Sequence, residues 1–420
     1  MLIKKWCKAM QKEIDALEAN QTWDVTDLPP SRKKAISSKW VYKLKFNSDG
    51  TLETHKARLV VMGNHQKEGT NFKETFALVA KMTIAPRYWF SKLSTALREL
   101  GFTQSYQDYS LFSLRQGELI LHVLVYVDDF VVNDLHAINE FKLQLNKCFH
   151  MKDLGKLKYF LGIEVSRGPD GFCLSQRKYA LDIITEVGLL GAKPSLVPIE
   201  QNQKLAYVKG PAFDNPEQYR RLVGRFIYLT ITRPDLSYAV HILSQFMKAP
   251  LVAHWEATLR LVRYLKGSPT LGIFLRSDSE LHSSAYCDSD YKACPRTCWF
   301  LSAYIVYLGD SPISWKTKKQ KTVSSSSAEV EYRAMAYTLK EIKWLKALMR
   351  TLGVDHPQPI DLHCDNQATT YIAANHAKLI ATQHISTSDQ VADLLTKALP
   401  GSTIARLMST LGVGHYVPPT

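Results

Sequence analysis

Residues 119–133, LILHVLVYVDDFVVN, hold two apolar runs that meet at adjacent carboxylates, Asp128 and Asp129. Runs of this length, rich in β-branched residues, read as two strands joined by a tight turn. An isolated Asp-Asp pair in a turn is usually a solvated surface feature. Enclosed by Leu119–Val127 on one side and Phe130–Val132 on the other, the pair reads as the tip of a doubly buried hairpin, and two repelling charges there call for a cation. Magnesium takes oxygen ligands and is commonly held by one or two carboxylates together with substrate phosphates.

The rest of the chain sets the frame for that hairpin. At 420 residues it is long enough for two or three domains, and with 45% hydrophobic and 22% charged residues it is an ordinary globular chain. A net charge of +14 favours a polyanionic partner, the plain alternative being a merely basic protein. The seven cysteines are odd in number and form no CxxC pair. No apolar signal core precedes them, so they read as reduced thiols of an intracellular protein, in cytoplasm or nucleus. Cys287, Cys294 and Cys298 cluster, but no histidine stands near them at finger spacing, so a zinc site is not expected. No run reaches the roughly 18 to 20 apolar residues that span a bilayer, so no membrane is expected.

Periodicity predicts an amphipathic helix over 1–20, then a hairpin around the turn pair Asp49-Gly50. Helices follow at 88–101 and 134–148, with a strand at 157–165. Residues 217–267 read as mostly helical, interleaved with Arg220, Arg221, Arg225, Arg260, Arg263 and Lys266. A second α/β unit begins near 280. It has strands at 283–287, around 301–315 and at 359–364, a long helix over about 327–352, and a last helix over about 389–399.

Four acids are spread through that unit: Asp288 after a strand, Glu331 on the long helix, Asp365 after a strand, and Asp393 near the start of the last helix. Two metals held by such acids can cut a phosphodiester by activating water and stabilising the departing oxygen. Helical spacing separates Glu331 from its neighbour Glu329. About 100° per residue puts the two about 200° apart. Glu331 shares a face with Met335, Thr338, Ile342, Leu345 and Met349, whereas Glu329 lies with Arg333, Lys340 and Lys343. A carboxylate on an apolar stripe is costly unless it is paired or metal-bound. Glu331 is therefore the functional candidate and Glu329 a first-turn acid, with Ser326 or Ser327 as N-cap. Asp290 reads as a surface residue, and Asp393 alone would pass for a helix-start acid.

An ordered series of motifs resembles the reverse transcriptase of copia-type retrotransposons. It comprises KARLV at 56–60, ETFALVAKMT at 74–83, APRYWFSKLSTAL at 85–97, DYSLF at 108–112, LVYVDD at 124–129, LGKLKYFLGIEV at 154–165 and VRYLKG at 262–267. The stretches YCDSDYKACP, SWKTKKQKTVSSSSAEVEYRAM, HCDNQATTYIAAN and QVADLLTKALP resemble that family's ribonuclease H. The resemblance covers nearly the whole chain. It implies an α/β (α+β) architecture: a right-hand polymerase with fingers, palm and thumb, followed by an RNase H-like α/β domain. The implied divisions are fingers and palm at 1–170, palm end, thumb and connection at 171–270, and RNase H at 280–400. It also implies Asp128 and Asp129 as palm metal ligands, Lys56 and Arg58 on a fingers strand contacting the incoming nucleotide, and Tyr126 beneath the primer terminus. The nuclease tetrad carried over is Asp288, Glu331, Asp365 and Asp393, holding Mg²⁺ (or Mn²⁺). The implied partners are an RNA template, an RNA–DNA hybrid and deoxynucleoside triphosphates.

The chain departs from the family pattern at two joints. Thr83 is followed by Ile84 and at once by Ala85-Pro86-Arg87, where the family carries a segment resembling LDVNNAFLHG with the carboxylate that bridges both polymerase metals. Asp15, Asp24, Asp27, Asp49 and Asp108 offer no substitute on a buried strand. After Gln383-His384-Ile385 about twenty further family residues, including a strand, are missing, which puts the approach of Asp393 in question. The expectation is an RNA-directed DNA polymerase (a nucleotidyltransferase) and ribonuclease H whose polymerase has lost a catalytic carboxylate. The alternatives are a catalytically dead nucleic-acid-binding remnant and an unstable product without function.

Overall fold

A computed structural model describes residues 2–19, 38–46, 51–61, 84–117, 119–126, 129–133, 138–146, 149, 152–203, 205–290, 300–320, 326–373 and 379–415. The chain forms two compact units, Met1–Met151 and Lys152–Thr420.

In the first unit, helix α1 (Leu2–Ala19) lies on an antiparallel hairpin of β1 (Ser38–Phe46) and β2 (Leu52–Val61). The Trp6 ring meets Tyr42 and His55 edge-on, at 5.0 and 4.7 Å between centroids. Asp49-Gly50 lies outside the described residues. Helix α2 (Ile84–Glu99) begins directly at the Thr83–Ile84 joint. It leads into a meander of β3 (Thr103–Gln104), β4 (Leu111–Gln116), β5 (Leu119–Tyr126) and β6 (Asp129–Val132), closed by α3 (Ile138–Asn146). Leu93 and Leu97 of α2 and Phe141 and Leu145 of α3 pack with Phe112, Leu121, Val123 and Val125. The hairpin is therefore not buried on both faces as its sequence suggests. Leu121, Val123 and Val125 are buried, while Ile120, His122, Leu124 and Tyr126 are only half-buried. The period-2 alternation shows that one face carries the core.

The second unit holds two sheets. The first has the order β16-β10-β9-β8-β7, all antiparallel, from β7 (Tyr159–Phe160), β8 (Ile163–Gly168), β9 (Gly171–Ser175), β10 (Leu271–Arg276) and β16 (Val413–His415). Between β9 and β10 run α4 (Arg177–Glu186), α5 (Pro216–Leu229), α6 (Ser237–Ser244) and α7 (Val252–Gly267), packed around Tyr219, Phe226, Leu236, Leu261 and Leu265. Asn215 caps α5, its side-chain oxygen accepting from the Gln218 N–H, and Pro216 sits at the first turn where no donor is lost.

The second sheet has the order β13-β12-β11-β14-β15. β11 (Ser283–Asp290), β12 (Leu301–Leu308) and β13 (Ser311–Lys319) form an antiparallel meander. β14 (Ile360–Cys364) then joins parallel to β11, and β15 (Ile380–His384) parallel to β14. Helix α8 (Ser327–Thr351) lies across it, capped by Ser326, whose hydroxyl accepts from the Glu329 N–H. Its buried stripe contains Glu331, Met335, Thr338, Ile342, Leu345 and Met349, the face expected from spacing. Glu329 instead pairs with Arg333 at 2.8 Å. A short helix α9 (Gln367–Ala373) follows β14.

The region before the C-terminus differs from the expected helix over 389–399. It forms two 3₁₀ turns, Thr387–Asp389 and Val391–Leu395, and the helix proper, α10, is Gly401–Thr410. Gln390 separates the turns. Its backbone is extended (φ −72°, ψ 95°), its side-chain N–H donates to the Cys287 carbonyl at 2.9 Å, and its side-chain oxygen accepts from Ala392 N–H. A strand, β15, lies directly before the second joint and completes the parallel edge. Among the described residues no helix is long and apolar enough to cross a membrane.

One buried ion pair pins the helical layer. Arg233 is 1% exposed; its guanidinium donates to both carboxylate oxygens of Asp235 (3.0 and 2.7 Å) and to the Ser268 carbonyl (2.7 Å). Removing one partner leaves the other charge buried alone. Arg233→Ala is therefore expected to destabilise this unit by about 3–5 kcal/mol, measured by denaturant unfolding followed through tryptophan fluorescence.

Candidate metal centre

Four acids and one amine meet at one end of the second sheet. Parallel pairing of β11 and β14 sends both strands toward that end, so Asp288, on β11, and Asp365, one residue past β14, emerge as neighbours. Glu331 comes down from α8 onto the strand ends. Its Oε1 accepts from the Ser289 N–H at 3.2 Å, and its Oε2 lies 3.8 Å from the Cys364 thiol. Asp393 arrives on the second 3₁₀ turn and is buried. The Lys397 ammonium ties the set together, 2.7 Å from Asp393 and 3.4 Å from Asp288. The Thr396 hydroxyl also donates to Asp288, and the Thr387 hydroxyl donates to Asp365 at 3.2 Å.

The electrostatics follow from burial. Burial raises the Asp288 carboxyl, with Lys397 and Thr396 opposing and Asp365 adding to the rise. Burial and then the charge of Asp288 push Glu331 up to about 10 and Asp393 up to about 7. Burial alone would lower Lys397, but Asp288 and Asp393 more than offset it and the ammonium is held charged. Asp290 is not the surface residue its sequence suggests. It is half-buried at the end of β11, and burial with the charge of Asp288 pushes it up to about 6. Beneath the acids, a hydrogen bond from Cys287 lowers the Cys364 thiol.

The donor set fits a divalent cation. Ligand atoms of Glu331, Cys364 and Asp365 all lie within 4.8 Å of one another. Among the described residues, neither Glu331 nor Asp365 makes an ion pair, whereas Asp288 and Asp393 share Lys397. Sequence reading missed Lys397, Thr396 and Cys364. The signals were Asp393 and Lys397 four residues apart in QVADLLTKALP, and a cysteine directly before Asp365.

The polymerase candidates are placed less completely. Asp128 lies outside the described residues. Tyr126 and Asp129 face one another across the β5–β6 pair, Tyr126 half-buried and Asp129 exposed. Lys56, half-buried, and Arg58, exposed, share a face of β2, which belongs to the separate two-stranded sheet. Asp108 is used locally: its Oδ1 accepts from the Ser110 N–H and hydroxyl at 2.9 and 2.6 Å, turning the chain into β4. Several basic side chains of 217–267 are engaged within the unit. Arg221 and Arg225 pair with Glu186, Arg260 pairs with Glu200, and Lys266 donates to the Ala192 carbonyl.

Comparison with known proteins accounts for the motif series and for its first break. A family model described as reverse transcriptase (RNA-dependent DNA polymerase) matches residues 20–85 and 81–201, two segments that meet at the Thr83–Ile84 joint. The Retrovirus-related Pol polyprotein from transposon RE1 of Arabidopsis thaliana is 36% identical over 502 residues, 99% of this chain and 34% of the relative. The chain belongs to the copia-type retrotransposon Pol polyprotein family. The alignment runs longer than the 420 residues of the chain, so the relative carries positions with no counterpart here. The corresponding protein from transposon TNT 1-94 of Nicotiana tabacum is 28% identical over 94% of this chain and 36% of its own length. An uncharacterized mitochondrial protein of Arabidopsis thaliana is 40% identical over 231 residues, covering 54% of this chain and 95% of itself. The chain spans about a third of the Pol polyproteins it matches.

The raised carboxyls give a signed pH dependence. Folded Glu331 keeps its proton up to about pH 10, whereas the unfolded chain releases it near 4.5. The metal-free fold therefore binds more protons than the unfolded chain between those values, and its stability falls as pH rises through them. In chelator, the melting temperature is expected to fall from acidic to alkaline pH. Glu331→Gln, which can still accept from Ser289, is expected to flatten that slope and to melt at least about 2 °C higher than the natural chain near pH 8. Thermal melts across pH test this, and equal slopes for the two proteins would contradict it.

Proposed function

We propose that residues 280–400 form a metal-dependent ribonuclease H that cuts RNA paired with DNA, and that the N-terminal part is a polymerase remnant that does not extend a primer. The observation that carries the nuclease reading is the convergence of Asp288, Glu331, Asp365 and Asp393 at the ends of the parallel neighbours β11 and β14, three of them buried. Acids so placed would hold Mg²⁺ or Mn²⁺, which lowers the pKa of a bound water and stabilises the departing oxygen of a phosphodiester. Each carboxylate has a supporting contact that fixes its direction: Ser289 N–H for Glu331, Thr396 for Asp288, Thr387 for Asp365 and Lys397 for Asp393. The chain has a basic excess of +14, which suits a nucleic acid partner.

The second joint does not cut Asp393 off from the others. β15 pairs along β14 before the joint, and Lys397 ties Asp393 to Asp288 after it. The first joint bears differently on the polymerase. The family segment expected to bring the bridging carboxylate is missing at Thr83–Ile84, and Asp108 is committed to a turn. Palm, fingers and thumb assignments, with Lys56, Arg58, Tyr126, Asp128 and Asp129 in nucleotide and metal roles, rest on the motif series.

Incubation of the purified chain with Mg²⁺ and an RNA–DNA hybrid labelled in the RNA strand tests the nuclease. Cleavage is expected, and Asp288→Asn is expected to reduce it at least about a thousandfold, as loss of a metal ligand at the reacting centre should. A folded chain that leaves the RNA intact would overturn the reading and leave a binding remnant. On a primed RNA template with all four deoxynucleoside triphosphates, no extension is expected, and processive synthesis would refute the polymerase half of the proposal.

A further inference from the structure

The metal centre has two dissimilar halves. Asp288 and Asp393 are bridged by the chain's own ammonium, Lys397. Glu331 and Asp365 make no ion pair among the described residues, and between them stands a thiol, Cys364, which is fully buried. We infer that Glu331, Cys364 and Asp365 form a mixed sulfur–oxygen site for a thiophilic divalent cation, Zn²⁺ or Cd²⁺. The inference rests on the proposed nuclease only for its consequence, competition with Mg²⁺ for two shared carboxylates.

Three features carry it. The first is spacing. Two ligands on a tetrahedral zinc, one sulfur and one oxygen, stand about 3.6 Å apart. The Cys364 sulfur already lies 3.8 Å from Glu331 Oε2, and all three ligand atoms lie within 4.8 Å of one another. The second is support for the sulfur as an acceptor. The Asn366 backbone N–H donates to Cys364 Sγ at 3.4 Å, which holds the sulfur in place at the end of β14. The third is charge. Glu331 is only 7% exposed, and among the described residues no basic side chain makes an ion pair on that side of the set. A thiolate beside it selects a softer ion than magnesium. Half-buried Asp365 opens the set to solvent, and three protein ligands leave one position for water.

The test is titration of the full chain with Cd²⁺, read by the ultraviolet thiolate-to-cadmium charge-transfer absorption, with circular dichroism to confirm folding. The natural chain is expected to develop the band. Cys364→Ser is expected to lose one thiolate's share of it. Glu331→Gln, which keeps every thiol and remains informative if the serine variant does not fold, is expected to weaken binding at least about tenfold. Cys287→Ser is expected to retain the band. A folded Cys364→Ser chain with unchanged absorption, or unchanged affinity in Glu331→Gln, would overturn the inference. The readout does not depend on RNA cleavage. Absence of nuclease activity with a Cys364-dependent band would sink the enzymatic reading and keep the site, and the reverse pattern would do the opposite.

Discussion

The carboxyl groups of Asp288, Glu331 and Asp393 are withdrawn from water at the end of the C-terminal sheet, and burying such groups as unpaired ions is strongly unfavourable. The surrounding structure is arranged around that burden. Parallel pairing of β11 and β14 brings two acids to one edge. The apolar stripe of α8 drives Glu331 into the interior because its neighbours on that face, Met335, Thr338 and Ile342, are themselves buried. The 3₁₀ turn at Val391–Leu395 seats Asp393 and supplies Lys397. Without a cation the chain meets the charge partly by keeping protons and partly with one ammonium. Both are incomplete, since Glu331 and Asp365 make no ion pair among the described residues.

That incompleteness separates the candidate site from a structural ion pair in the same unit. Arg233 and Asp235 are equally deep, but the guanidinium satisfies both carboxylate oxygens and two acceptors on Ser268. Nothing there asks for a ligand. At the sheet end, two acids and a thiol lie within 4.8 Å of one another, and the one amine, Lys397, pairs with the other two acids. The same physics of desolvation therefore yields a closed stabilising pair in one place and an open, ligand-seeking set in the other.

Much of this was legible in the sequence because it rests on periodicity. The 3.6-residue repeat of α8 separated Glu331 from Glu329, and the apolar runs located the strands. What stayed hidden was set by contacts between distant segments. Nothing local shows that Gln390 would reach the Cys287 carbonyl and break the expected helix into 3₁₀ turns. Nor does it show that Lys397 would bridge Asp393 to an acid over a hundred residues away. The half-exposed face of β5 was misread for a related reason. An apolar run records the demand for burial, and only the placement of α2 and α3 decides which face is covered. Asp290 was read as a surface residue beside the site, whereas it is half-buried at the end of β11, where burial and the charge of Asp288 oppose its ionisation.

The joint at Thr83–Ile84 and the joint after Ile385 fall on different kinds of structure. The first runs directly into a helix, α2. The second follows a strand that is already paired, and the chain resumes in a turn that still delivers Asp393. Whether the acids at the sheet end act as one metal centre is measured most directly by calorimetric titration of the chain with Mn²⁺, alongside Asp365→Asn. The account predicts saturable binding that the variant weakens at least about tenfold. Equal binding by the two chains, or none by a folded natural chain, would contradict it.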